Sequence, residues 1–367
     1  MTLVAKSAGR DAFLDCFKGA MILWVIHIHT VFWSGYAYIP EHVRQLTLLV
    51  DVPIFFFISG YLTKPSGFYL ALRKTAKSFI RLYFNYIAIS CLILAAVALF
   101  KTRISSWPQT DFSLAITSML RLTPHGEIWE SIPVYNGSLW YIQDYLSLLV
   151  FVPLLLGIRL VYDSKIQVLF LILLFTALVP KEYPDHSFIF SSFGSVSFFL
   201  FFFLWGVIFR EQEQNLDTKM IVAQMILSVL LGLIVYFFDG QQLNIQKYKF
   251  PPATQYLIYS LFLVHFFMLL KRWCRGKVKF GNRRWALILR WCGINIFTIY
   301  LFQGFVCSLP YFFIDSLLSI LHPVALYFLV LSFNILLTLL LAYTYLMTKD
   351  YIFSTLGFSR TSLPPSL

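Results

Sequence analysis

The sequence predicts an all-α fold, a polytopic integral membrane bundle of about ten transmembrane helices with both termini in the cytoplasm. Three observations carry that expectation. Of 367 residues, 13% are charged, 59% hydrophobic and 19% aromatic, and mean hydropathy is +0.74. A water-facing surface needs about twice that charge, roughly 25%, so a soluble globular domain is excluded. The lack of long polar, Ser-rich or acidic tracts excludes a disordered chain as well. Second, charge disappears over ten stretches, most of them close to the roughly 20 residues that cross about 30 Å of hydrocarbon. Third, with the N-terminus inside, Lys and Arg number 22 on the inner side and 7 on the outer, while Asp and Glu number 7 and 10. That bias is the signature of membrane topology, and it turns the net charge of +12 into an orientation signal. No nucleic-acid partner is expected.

Taken in order, the expected spans are 13–34, 46–63, 82–100, 139–158, 166–180, 192–209, 220–238, 251–270, 287–309 and 320–347. They are apolar on all faces, which excludes the alternating strands of an outer-membrane barrel. The first span is interrupted by His27 and His29 and lacks a small-residue cleavage site, so it is expected to be retained. The second contains Ser59-Gly60, a small pair that lets helices approach closely. The fifth is short. Between the third and fourth lies the longest outer loop, about 101–138, with Trp107, Pro108, Pro124, Gly126, Trp129 and Pro133; it is expected to be structured and to lie over the bundle mouth. The basic run from Lys271 to Arg290 marks a cytoplasmic connection. Cys16, Cys91, Cys274, Cys292 and Cys307 show no metal or disulfide spacing, so neither a metal site nor structural disulfides are expected. The expected organisation is one transmembrane domain over 1–350 and a short cytoplasmic tail at 351–367, with no appended soluble domain expected.

Ionisable groups inside a membrane helix are costly and mark function. Lys18 and His29 are eleven residues apart, about three whole turns, so they share a helix face and are separated by roughly 16 Å. A cation at the cytoplasmic mouth therefore lies below an imidazole in the outer half. Asp51 opens the second span and can orient an imidazole or bind a sugar hydroxyl. Arg73, Lys74, Lys77 and Arg81 form a basic amphipathic stretch, suited either to anionic lipid headgroups or to a phosphorylated ligand. Trp140, Gln143 and Asp144 open the fourth span, where an aromatic face beside an amide and a carboxylate suits a carbohydrate.

Together these residues resemble the membrane-bound acyltransferase-3 family, the integral-membrane acyltransferases that commonly O-acetylate bacterial surface polysaccharides. Leu14-Asp15-Cys16-Phe17-Lys18-Gly19 before His29 is similar to that family's L-D-G-x-R-G pattern and its histidine, with Lys in place of Arg. Asp51 through Leu62 resembles D-x-F-F-x-x-S-G-F-L with extra residues before the aromatic run. Lys77-Ser78-Phe79-Ile80-Arg81 followed by Tyr86 resembles R-R-x-x-R-x-x-x-P-Y without one Arg and the Pro. Leu139-Trp140-Tyr141-Ile142 with Pro153-Leu154-Leu155 resembles its L-W-F-L…P-L-L span, and Asn295 to Gln303 its S-x-x-I-Y-L-x-H segment, with Gln303 where His is usual.

The resemblance implies a multi-pass protein of the bacterial inner membrane that takes acetyl-CoA as acyl donor, without a metal. The acceptor it implies is a hydroxyl of a surface glycan such as O-antigen, extracytoplasmic or lipid-linked. Lys18, Arg73, Lys77 and Arg81 would meet the CoA phosphates. His29 would act as general base or carry the acyl group transiently, Asp51 or Asp144 would orient it, and Trp140 and Gln303 would contact substrate. A lipid-linked glycan transporter or flippase is the main alternative, but it predicts internal repeats and paired charges near the midplane, and the sequence displays neither. A membrane glycan polymerase is a second alternative, disfavoured by the modest outer loop.

Overall fold

The computed structural model describes residues 11–64, 66–101, 112–157, 163–178, 193–240, 244–249, 252–274 and 283–356. All regular elements among them are helical. Trp107, Pro108 and the tail from 357 lie outside the described residues.

Asp11 starts α1 (Ala12–Phe32), its carboxylate accepting from the Phe13 and Leu14 amides. Such capping satisfies donors that the first helical turn leaves open. A 3-10 turn at Ser34–Ala37 leads to α2 (Glu41–Thr47), then α3 (Pro53–Leu62) and the long α4 (Phe68–Lys101). The outer connection holds three short helices, α5 (Phe112–Leu120), α6 (Glu127–Glu130) and α7 (Pro133–Ser138). They are fixed by fully buried Trp129, whose indole donates to the Ala115 carbonyl and stacks on Tyr135, so the described part of this loop is structured as expected. Then follow α8 (Trp140–Gly157), α9 (Lys165–Leu178), α10 (Phe193–Gln212), α11 (Thr218–Phe238), the short α12 (Ile245–Lys249) and α13 (Thr254–Cys274). The chain closes with α14 (Arg284–Ile294), α15 (Ile296–Ser308), a 3-10 turn, α16 (Ile314–Leu318) and α17 (Pro323–Thr355).

Among the described residues, seven stretches are long and apolar enough to cross a membrane, and an eighth if α14 and α15, which meet at 86°, form one span. Three expected spans therefore look different. The second is cut at Asp51-Val52-Pro53: the ring of Pro53 suits only the first turn of a helix, so α3 starts there and runs for only 10 residues. The fifth spans 14 residues as far as described. The ninth breaks at Asn295, whose backbone (φ −104°, ψ 21°) is not helical.

Two close crossings organise the interior. A Cβ on Gly60 would come 1.8 Å from the Phe203 carbonyl oxygen, and one on Gly206 2.0 Å from that of Phe57, so α3 and α10 touch backbone to backbone. Gly19 and Gly293 do the same for α1 and α14, with 1.9 Å to the Leu289 oxygen and 1.8 Å to that of Asp15. Small residues at such crossings are how membrane helices gain packing without a hydrophobic driving force. Phenylalanines fill the space around the first crossing, Phe56 stacking on Phe199 at 4.3 Å and Phe198 on Tyr256 at 5.3 Å. The described side chains of α10 are largely buried and those of α11 largely exposed, so α10 is a core element and α11 lies at the periphery of the bundle.

Candidate active site

The C-terminal end of α1, the start of α3, the start of α8, the end of α12, the start of α13 and the middle of α15 converge on one polar cluster. His29 on α1 meets Gln303 on α15, with Nδ1 and Oε1 2.7 Å apart. An amide oxygen can only accept, so the imidazole donates from Nδ1 and keeps its lone pair on Nε2. Gln303 is fully buried, and its Nε2 has no hydrogen-bond partner among the described residues. The pair thus combines a nitrogen able to accept a proton with amide hydrogens available to a developing negative oxygen.

Asp51 lies alongside, 4% exposed. Its Oδ1 accepts from the Val52 amide at 2.7 Å, and its Oδ2 from the Tyr256 hydroxyl at 2.9 Å and the Lys249 ammonium at 2.8 Å. Lys249 is buried too and stands 5.2 Å above the Trp140 ring. Lys249 and Asp51 are both within electrostatic range of His29, and Tyr300 is within range of Asp51 and Asp144. Asp144 is buried on α8 and accepts from Ser195 at 2.7 Å.

The opposite end of the bundle carries the other predicted group. Lys18 is buried and paired with Asp15 at 3.2 Å, one turn earlier on α1. Arg73 and Lys77 are exposed on the first turns of α4, whereas Arg81 is partly enclosed. Arg81 lies within electrostatic range of Lys349 on α17, whose ammonium donates to Asn85 at 2.8 Å. Between the two ends, α8 presents Tyr141 and Tyr145 one turn apart, their rings 6.0 Å from each other. Tyr141 packs on Tyr300 at 5.0 Å, and Tyr145 shares a hydrogen bond with Ser59 and sits within range of Arg81. A file of phenols therefore links the His29 cluster to the cationic end.

The family model for an acyltransferase domain matches residues 11–343, nearly the whole chain. The chain belongs to the acyltransferase-3 family. No curated protein and no solved structure matches it.

In this acyltransferase the residue against His29 is Gln303; the Asp51 carboxylate, expected to orient the imidazole, is engaged by Lys249, Tyr256 and its own neighbour's amide. Trp140 joins the cluster as the platform beneath Lys249. Arg73 and Lys77 stay at the surface, apart from Arg81's enclosed position. The structure also folds in the two ion pairs Lys18–Asp15 and Lys249–Asp51, which the sequence did not display as paired charges. Lys249, Tyr256, Tyr300 and Lys349 were missed. Lys249 was counted as one of the few outer-side bases, and that scarcity was the available signal. Tyr248 beside it donates to Asp239 at 2.7 Å, a bond that pushes the Tyr248 phenol up from its ordinary pKa.

Proposed function

We propose that this acyltransferase moves an acetyl group from acetyl-CoA to a hydroxyl of a cell-surface glycan or its lipid-linked precursor, in the bacterial inner membrane. In this reading the chain crosses ten times, with both termini cytoplasmic, the short α3, the short α9 and the bent α14–α15 pair counting as crossings. Acetyl-CoA enters at the cationic end, where Arg81 and Lys349 neutralise its phosphates, and its acyl arm follows the phenols of α8 toward His29. The acceptor arrives from the outer side, past the partly exposed Trp140, whose ring face is covered by Lys249.

His29 Nε2 takes the proton of the acceptor hydroxyl as its oxygen attacks the thioester carbonyl. Gln303 Nε2–H donates to the oxyanion of the tetrahedral intermediate, a kind of stabilisation that is often the largest single contribution to catalysis. The carbon–sulfur bond then breaks, the imidazolium returns its proton to the departing thiolate, and ester and free CoA result. Gln303 Oε1 keeps the other ring proton in place throughout.

The observation that carries this reading is the His29–Gln303 pair at 2.7 Å inside an acyltransferase domain. The test is His29→Ala, assayed in membranes with radiolabelled acetyl-CoA and scored as label leaving CoA for glycan or lipid-linked material. Transfer is expected to fall by about 10²–10⁴-fold at unchanged abundance. Undiminished transfer would remove His29 as the base.

A further inference from the structure

Lys249 comes from the connection between α11 and α13, a segment that the charge pattern places in the outer aqueous phase. Within α12, Gln246 and Lys247 stay exposed while Ile245 and Lys249 turn inward. Ile245 is fully buried, the Gln246 amide donates to Gln45 Oε1 at 3.1 Å, and Lys249 retains 8% of its side-chain exposure. Removing an ammonium from water costs several kcal/mol unless a partner offsets it, so a lysine in this position calls for a reason.

Hydrogen bonding alone is not that reason. Asp51 already accepts from two neutral donors, the Val52 amide on Oδ1 and the Tyr256 hydroxyl on Oδ2. What Lys249 adds is charge. A buried carboxylate without a counter-charge favours the protonated form of a neighbouring imidazole, and an imidazolium has no lone pair with which to take a proton. The second carboxylate near the cluster, Asp144, is tied to Ser195 on α10.

We propose that Lys249 is a positioning residue of the acyl-transfer site: its ammonium pairs with the Asp51 carboxylate beside His29, withholding that charge from the imidazole that acts as base, and anchors α12 over Trp140. The inference rests on the reading of His29 as that base. Lys249 touches neither donor nor acceptor in this scheme, so its loss acts on turnover rather than on donor binding.

The experiment compares Lys249→Met, Lys249→Arg, Asp51→Asn, the double variant Asp51→Asn with Lys249→Met, and His29→Ala. Rates of label transfer from radiolabelled acetyl-CoA are normalised to membrane abundance. Lys249→Met is expected to lower kcat by about tenfold or more with KM for acetyl-CoA little changed. Lys249→Arg keeps the charge and retains activity. In the double variant no charge is left unpaired, and its kcat recovers toward that of Asp51→Asn. Wild-type turnover in Lys249→Met, or a double variant no faster than it, overturns the proposal. Should Lys249→Met fail to accumulate, the double variant is read against Asp51→Asn: equal kcat supports the neutralising role, and a lower one overturns it. Full activity of His29→Ala strikes the base itself, so that failure is distinct from a failure confined to Lys249.

Discussion

At the scale of single residues, the His29–Gln303 pair makes the sharpest demand. Gln303→Leu removes both the acceptor that fixes the ring proton on Nδ1 and the amide hydrogens left open by burial. Turnover is expected to fall by about 10²–10³-fold, read as initial rate of transfer from radiolabelled acetyl-CoA, whereas a loss under threefold would place Gln303 outside the chemistry. His29 was legible because an ionisable side chain in an apolar run is conspicuous in one dimension. Gln303 was legible only through the resemblance of its segment to a family pattern. Lys249 was not, because nothing in a one-dimensional pattern brings an outer-loop lysine to a carboxylate at the start of α3. Asp51 announced itself as His29 did, but the donors that reach it come from α12 and α13 and were not legible in one dimension.

At the scale of elements, the apolar runs located the helices well and their lengths less well. Hydropathy sees Leu46 to Thr63 as one stretch, but Pro53 can occupy only a first turn, so the helix begins there and the preceding residues take another course. The break at Asn295 is likewise weakly encoded, since Gly293 and Asn295 are tolerated in many helices. The Ser59-Gly60 pair was read correctly as a packing device, and its strictness is now explicit. Gly60→Val drives its side chain into the Phe203 carbonyl, with no flexible atom to yield. Separation of α3 from α10 is expected to cost about 1–3 kcal/mol, visible as a lower thermal transition of the detergent-purified protein. An unchanged transition would mean that the crossing is looser than described.

At the scale of the whole molecule, the charge bias sets the proposed orientation, and that orientation makes a labelling prediction. Lys74 is exposed on α4 and His125 is exposed in the outer connection. In a background carrying Cys91→Ser, a membrane-impermeant maleimide should modify His125→Cys in intact cells and Lys74→Cys only after permeabilisation; the reverse pattern would invert the topology. The bundle is also uneven in depth. At about 1.5 Å per residue, the 10 residues of α3 cover only about half of a roughly 30 Å hydrocarbon layer. Asp51 stands just before that half-length helix and is itself buried beneath Lys249 and Tyr256, so protein rather than lipid fills the rest of this column. In the proposed mechanism an acyl group handed over at His29 moves through protein along this column, so the energetic barrier to moving it is set by the side chains that line it rather than by the lipid.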